Sequence, residues 1–144
     1  MTMTARAINA LHDIHTATND VLTGYREMLA RAQPEIQPDI RRLIGLHEGH
    51  AQEQQAELVR LRDAGEDDTS LQGTVNKVVV MLRDWLSSLD RNVLPAVRDG
   101  EESLCGVYDK ALQQREVASH ASIGTLLTTQ RAAIASEVMR LPRD

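Results

Sequence analysis

The residues of this sequence with the clearest capacity for chemistry are histidines. His47 and His50 are three residues apart, a spacing that brings both imidazoles to one face of a helix. Glu53 continues the series at the next position three residues on. Helical bundles hold metal ions between imidazoles and carboxylates that project inward from facing helices. The spacing therefore predicts a candidate metal site on this face.

Other segments can supply further polar groups to the same layer. A seam of apolar residues spaced by three and four runs along the first segment of the chain and is interrupted by His15. If the first two segments form a hairpin, positions whose numbers sum to about 70 lie level, because each residue advances a helix by about 1.5 Å. His15 is then expected near Gln54, and Glu101 supplies a carboxylate from a later segment. The candidate ligands for iron, manganese or zinc are His15, His47, His50, Glu53 and Glu101.

A structural interpretation competes with metal binding, because helical histidines commonly make ordinary hydrogen bonds. Other catalytic patterns are missing from the sequence: it has no glycine-rich phosphate loop, no nucleophile elbow and no zinc-spaced cysteines. Cys105 is the single cysteine and is expected to be a small core residue. Tyr25 and Tyr108 are expected to pack in the core with each hydroxyl bound to one partner. No catalytic residue is predicted.

Helix breakers divide the chain into five long segments. Pro34 and Pro38 separate the first from the second, and Gly65 follows the end of the second. Pro95 suits the first turn of a fourth helix, and Pro142 follows the fifth. The predicted helices cover approximately residues 4–32, 38–63, 71–89, 95–114 and 119–141.

These segments predict an all-α protein with one domain spanning residues 1–144. Short connections between long amphipathic helices favour an antiparallel, up-and-down four-helix bundle with an additional fifth helix on its side or end. Which helix is the additional one stays open. The core is aliphatic, since the chain has one Trp, two Tyr and no Phe. Gly45 and Gly49 fit either the close approach of a neighbouring helix or a tolerated surface position.

Charge and hydropathy exclude two classes of partner. Lys and Arg number 16 against 21 Asp and Glu, and the two signs are interspersed, so no basic stripe for nucleic acid exists. The longest apolar run, Val78 to Leu82, is too short to span a membrane. With no signal-like N-terminus and one cysteine, we expect a cytoplasmic protein. The same run is apolar on all sides, which predicts burial within the monomer or in a homodimer.

Two stretches carry a resemblance to a known family. Residues 11–28, with Gly24-Tyr25, and residues 99–112, with Gly100-Glu101-Glu102, resemble a bacterial family of unknown function that has the ferritin-like fold. That family is distantly similar to rubrerythrins and bacterioferritins. The resemblance extends over most of residues 8–113. It implies a ferritin-like bundle and, from the wider superfamily, a di-iron centre of glutamates with Glu-x-x-His pairs on two helices.

The sequence departs from that di-iron pattern. Leu22 occupies the position of an expected ligand glutamate, and Arg98 stands where another acid is wanted. No Glu-x-x-His occurs: His50 and Glu53 have the reverse order, and the spacing from Glu116 to His120 is one residue too long.

Three functions follow from these patterns. The first is a non-enzymatic scaffold or interaction protein with a degenerate metal site. The second is a metal-binding protein in iron handling or oxidative stress. The third, a pocket for a small apolar ligand, fits an aliphatic bundle least, because such cores pack densely.

Overall fold

Five α-helices and one 3-10 turn make up most of the described part of the chain. The computed structural model describes residues 2–65 and 89–143, and within these ranges it contains no β-strand. The helices are α1, Met3–Arg31; α2, Gln37–Asp63; α3, Leu94–Gln113; α4, Arg115–Ala118; and α5, Ala121–Arg140, with the 3-10 turn at Arg91–Val93 before α3. The predicted all-α helical bundle is confirmed.

Local signals in the sequence explain where these helices begin. The Thr2 side chain accepts a hydrogen bond of 3.0 Å from the Ala5 amide and caps α1. Pro38 and Pro95 lie in the first turns of α2 and α3, where a missing N–H leaves no intrahelical bond unmade. The predicted helix 71–89, with Val78–Leu82 and Trp85, lies outside the described residues except for Leu89.

Contacts between α1 and α2 show that they form an antiparallel hairpin. His15 of α1 meets Gln54 of α2, and farther along α1, Arg26 binds Glu48, which lies nearer the start of α2. The contact between His15 and Gln54 confirms the prediction that these two residues lie at the same height in the hairpin. In the turn between α1 and α2, the Gln33 amide donates a hydrogen bond to the Leu89 carbonyl. The segment that leads into α3 therefore begins next to this turn.

Helices α3 and α5 form a second antiparallel hairpin. Asp109 of α3 binds Arg131 of α5, and Arg98 near the start of α3 reaches the Leu141 carbonyl at the end of α5. The two hairpins lie side by side, and contacts from His47 to Glu101 and from Gln54 to Tyr108 show that α2 and α3 run parallel. The end of α2 and the start of α3 therefore lie at opposite ends of the bundle.

Apolar seams from the four long helices face one another and form the core. On α2 the residues spaced by three and four along one face are buried, at Ile40, Leu43, His47, His50, Gln54 and Leu58. On α1 the seam residues Ile8, Leu11, Thr18, Leu22 and Tyr25 are buried as well. In the described ranges, no helix combines the length and the apolarity that a membrane span requires.

One close helix approach in the described structure occurs at Gly124. A Cβ atom added there would lie 3.0 Å from the Val117 carbonyl oxygen and 3.2 Å from that of Ala118, both in α4. A Cβ added at Gly45 or Gly49 would meet no atom within 4 Å. Of the two interpretations of the α2 glycines, the geometry agrees with tolerated surface positions.

Candidate functional site

Three buried polar side chains from three helices meet between the two hairpins. The Tyr25 hydroxyl of α1 donates a 2.8 Å hydrogen bond to Oε2 of Glu101 on α3. His47 Nε2 of α2 lies 2.9 Å from Oε1 and 3.0 Å from Oε2 of the same carboxylate. Tyr25 and His47 are 0 % exposed and Glu101 is 1 % exposed. Burial and the adjacent Glu101 carboxyl hold the pKa of Tyr25 well above its usual value, so the hydroxyl keeps its proton.

His50 lies beside this triad, one turn farther along α2. Its ring centre is 6.1 Å from that of His47 with the planes at 76°, and His47 also stacks on Tyr25 at 6.0 Å. Burial, followed by the neighbouring His47, lowers the pKa of His50 to about 4, so its imidazole is neutral near pH 7. Among the described residues, Nδ1 of His47 and Nδ1 of His50 are buried without a hydrogen-bond partner.

A second polar layer centres on Gln54 and joins all four long helices. The Gln54 amide nitrogen lies 3.1 Å from Thr18 Oγ1, 3.0 Å from the Tyr108 hydroxyl and 2.9 Å from Gln130 Oε1. Its oxygen lies 3.1 Å from His15 Nδ1. Tyr108 donates a 2.8 Å bond to Gln130 Oε1. Both ends of the Gln54 amide thus have hydrogen-bond partners within this layer. In the first layer, by contrast, Nδ1 of His47 and Nδ1 of His50 have none among the described residues.

The structure separates the five predicted metal ligands into two groups. His47 and Glu101 belong to the buried triad and His50 lies beside it, whereas His15 belongs to the Gln54 layer. Glu53 is exposed and accepts a 3.2 Å bond from Gln130 Nε2. No group of three or more His, Cys, Asp or Glu side chains suited to hold a metal is found within residues 2–65 and 89–143.

Sequence reasoning missed Gln130, which links Gln54, Tyr108 and α2. A usable signal existed, because Gln130 is the polar member of a seam spaced by three and four along α5, with Ile123, Leu127, Ile134 and Val138. The sequence predicted one hydrogen-bond partner for the Tyr25 hydroxyl but did not identify that partner as Glu101.

Three further side chains weighed as chemical groups have structural partners. The Arg98 guanidinium binds Glu102 and the Leu141 carbonyl and secures the C-terminal end of α5 to α3. Glu116 and His120 do not share a helix, because α4 ends at Ala118 and His120 caps α5 by accepting from the Ile123 amide.

Cys105 is buried on α3, in agreement with a core residue. Burial raises the pKa of its thiol, which disfavours the reactive thiolate.

An open groove of about 590 Å³ lies between α2 and α5. Glu53 and Glu57 line one side, with Ser122 and threonines on the other. The hydrogen bond from Arg60 holds the pKa of Glu57 below its usual value, and Ser122 donates a 2.6 Å bond to it. The groove's carboxylates thus already have partners within the protein.

The fold and its centre define the chain as a four-helix bundle protein with two buried polar layers. It belongs to the family described as "Domain of unknown function (DUF2383)", which matches residues 6–114. Membership in a family of unknown function is thus confirmed, over nearly the range predicted from the motifs. No curated protein and no solved structure matches the chain.

Proposed function

We propose that this protein is a non-enzymatic helical bundle that acts by association, in the first place with a second copy of itself. The observation that carries the non-enzymatic part of the proposal is the inaccessibility of the buried centre. Tyr25 and His47 have no exposed surface and Glu101 is 1 % exposed, so a substrate has no route to the polar groups in this conformation. The side chains that could do chemistry instead hold helices together.

The polar layers support a structural role for the centre. Gln54 bonds to side chains of the other three long helices, and Glu101 joins α3 to both α1 and α2. Buried polar groups with good geometry tie helices to one register, because a shifted register would leave them without partners. A scaffold needs such a rigid arrangement, whereas an enzyme needs accessible groups.

We further propose that the bundle is of the ferritin-like type. Its two antiparallel hairpins with α2 and α3 parallel agree with that topology, in which one long connection joins the two halves of the bundle. Kinship with rubrerythrins or bacterioferritins belongs to this proposal and rests on topology alone.

A carboxylate-bridged di-iron centre does not fit the described side chains. Such a centre takes a glutamate from each of two helices and a Glu-x-x-His pair from each of the other two. Here Glu101 is the one carboxylate in the triad, and Tyr25 and His47 bond to it. Glu53 lies on the exposed side and bonds to Gln130. A role in iron oxidation therefore receives no support from this geometry.

Light scattering tests the association. The full chain at several concentrations is expected to have twice the 16.0 kDa mass of one chain. The apolar run Val78–Leu82, which favours an interface, lies outside the described residues. A strict monomer at high concentration would overturn self-association.

The non-enzymatic part is tested by following Fe²⁺ oxidation in air. The wild-type protein and Glu101→Gln are expected to oxidise Fe²⁺ at the rate of buffer. A faster rate that Glu101→Gln abolishes would show that the centre is catalytic and contradict the proposal.

A further inference from the structure

We infer that His47 and His50 form a site for a single late first-row transition-metal ion, of the zinc or copper class, bound through their Nδ1 atoms. In this site Glu101 does not bind the ion and instead orients His47. The inference goes beyond the proposed function, since a bound ion of this kind requires no catalysis.

The first step is the tautomer of His47. Its Nε2 lies within 3.0 Å of both Glu101 oxygens, and a carboxylate accepts hydrogen bonds, so we assign the proton to Nε2. In the neutral ring the Nδ1 atom then carries a lone pair.

A histidine held in this way has the standard arrangement of a metal ligand. Ligand histidines commonly donate their second ring N–H to a carboxylate, which fixes the orientation and tautomer of the ring and raises its basicity. Glu101 supplies that carboxylate, and Tyr25 in turn donates to Glu101 at 2.8 Å. The triad thus holds the His47 ring in place through Nε2 and leaves its Nδ1 atom available to bind an ion.

The second ligand is His50, whose Nδ1 is likewise buried without a partner among the described residues. Two imidazoles that bind one ion through nitrogens about 2.0–2.1 Å from it have ring centres roughly 5–6.5 Å apart. The observed separation of 6.1 Å falls in this range. His50 is 6 % exposed while His47 is fully buried, so the His50 side offers the shorter path for an ion from solvent.

The donor atoms determine the class of ion. Imidazole nitrogen suits zinc, copper, iron and nickel, whereas magnesium, calcium and manganese prefer oxygen ligands, so ligand type alone excludes manganese but not iron. Affinity for nitrogen sites also rises along the series from manganese to copper. A pair of imidazoles with one carboxylate behind them therefore favours zinc or copper over iron and manganese.

The test is a titration of chelator-treated full-length protein with Zn²⁺, and separately with Cu⁺ under reducing conditions, against a chromophoric competitor. One equivalent of at least one of these ions is expected to bind. His50→Gln is expected to abolish that binding, and Glu101→Gln to weaken it about 10- to 100-fold. His120→Asn is the matched control, since it removes a histidine while asparagine keeps the helix cap of α5.

Nitrogen NMR of the histidine rings provides a second readout on the wild-type protein. The free protein is expected to show His47 protonated at Nε2, and the ion is expected to shift the Nδ1 signals of both His47 and His50. This measurement holds even if a variant fails to fold. Absence of binding by both ions, equal binding by His50→Gln, or preferential uptake of two Fe²⁺ ions would each overturn the inference.

Discussion

His50 is a histidine whose protonation is suppressed by the fold. Its pKa is lowered to about 4 in the folded protein, from 6.5 in an unfolded chain. Between these values the unfolded state binds a proton that the folded state does not. Stability is therefore lost as the pH falls from about 6.5 to about 4, by up to about 3 kcal/mol from this one group.

Urea unfolding of the wild type and His50→Asn at several pH values between 7 and 4 measures this effect. The wild-type free energy of unfolding is expected to fall more steeply with acid than that of the variant. Parallel pH profiles would show that His50 does not contribute the loss.

Gln54 is expected to matter far more than its neighbour in sequence. Gln54→Leu deprives Thr18, Tyr108 and His15 of a buried partner, so the free energy of unfolding is expected to fall by about 1–3 kcal/mol. Gln55 is exposed on the same helix turn, and Gln55→Leu is expected to change stability by less than about 0.5 kcal/mol. Equal effects of the two substitutions in chemical denaturation would contradict a structural role for the Gln54 layer.

At the scale of the helices, glycines in different elements are expected to respond in opposite directions. Gly124→Ala places a Cβ 3.0 Å from a backbone oxygen of α4, which cannot rotate away, so we expect a loss of about 1–3 kcal/mol. Gly45→Ala and Gly49→Ala enter open space in the interior of α2 and are expected to stabilise it by up to about 0.8–1 kcal/mol each. Thermal unfolding followed by circular dichroism distinguishes the signs. A stabilising Gly124→Ala would show that α4 and α5 can separate without loss.

The predictions about elements succeeded where local signals decide. Prolines, caps and the spacing of apolar residues gave α1, α2, α3 and α5 to within about two residues at their ends. The short helix α4 was missed, because four residues carry no periodicity to detect. A close approach was expected at Gly45 and Gly49 as one alternative, but it is absent at both, whereas Gly124 makes one. A glycine's neighbours depend on how helices pack, which its place in the sequence does not show.

At the scale of the whole molecule, the triad links the two hairpins and is expected to make them unfold together. Glu101→Ala leaves His47 and the Tyr25 hydroxyl without their partner, and each buried donor left unsatisfied costs about 1–3 kcal/mol. Hydrogen exchange is expected to show the same loss of protection in α1 and α2 as in α3 and α5. Asp99→Ala, at an exposed position of the same helix, is the control. A loss confined to one hairpin would contradict a single cooperative domain.

The sequence by itself determined the class of fold and the helices with clear ends, because both depend on residues close together in the chain. It also predicted the contact of His15 with Gln54, since a hairpin relates two helices by simple arithmetic. Only the tertiary structure decided that Glu101 meets His47 and Tyr25 and that Gln130 joins Gln54. Those pairs lie across separate hairpins, and their distances depend on the relative rotation and height of helices that no local spacing records. The same packing left Nδ1 of His47 and His50 without partners in the described structure, and the proposed metal site rests on that outcome.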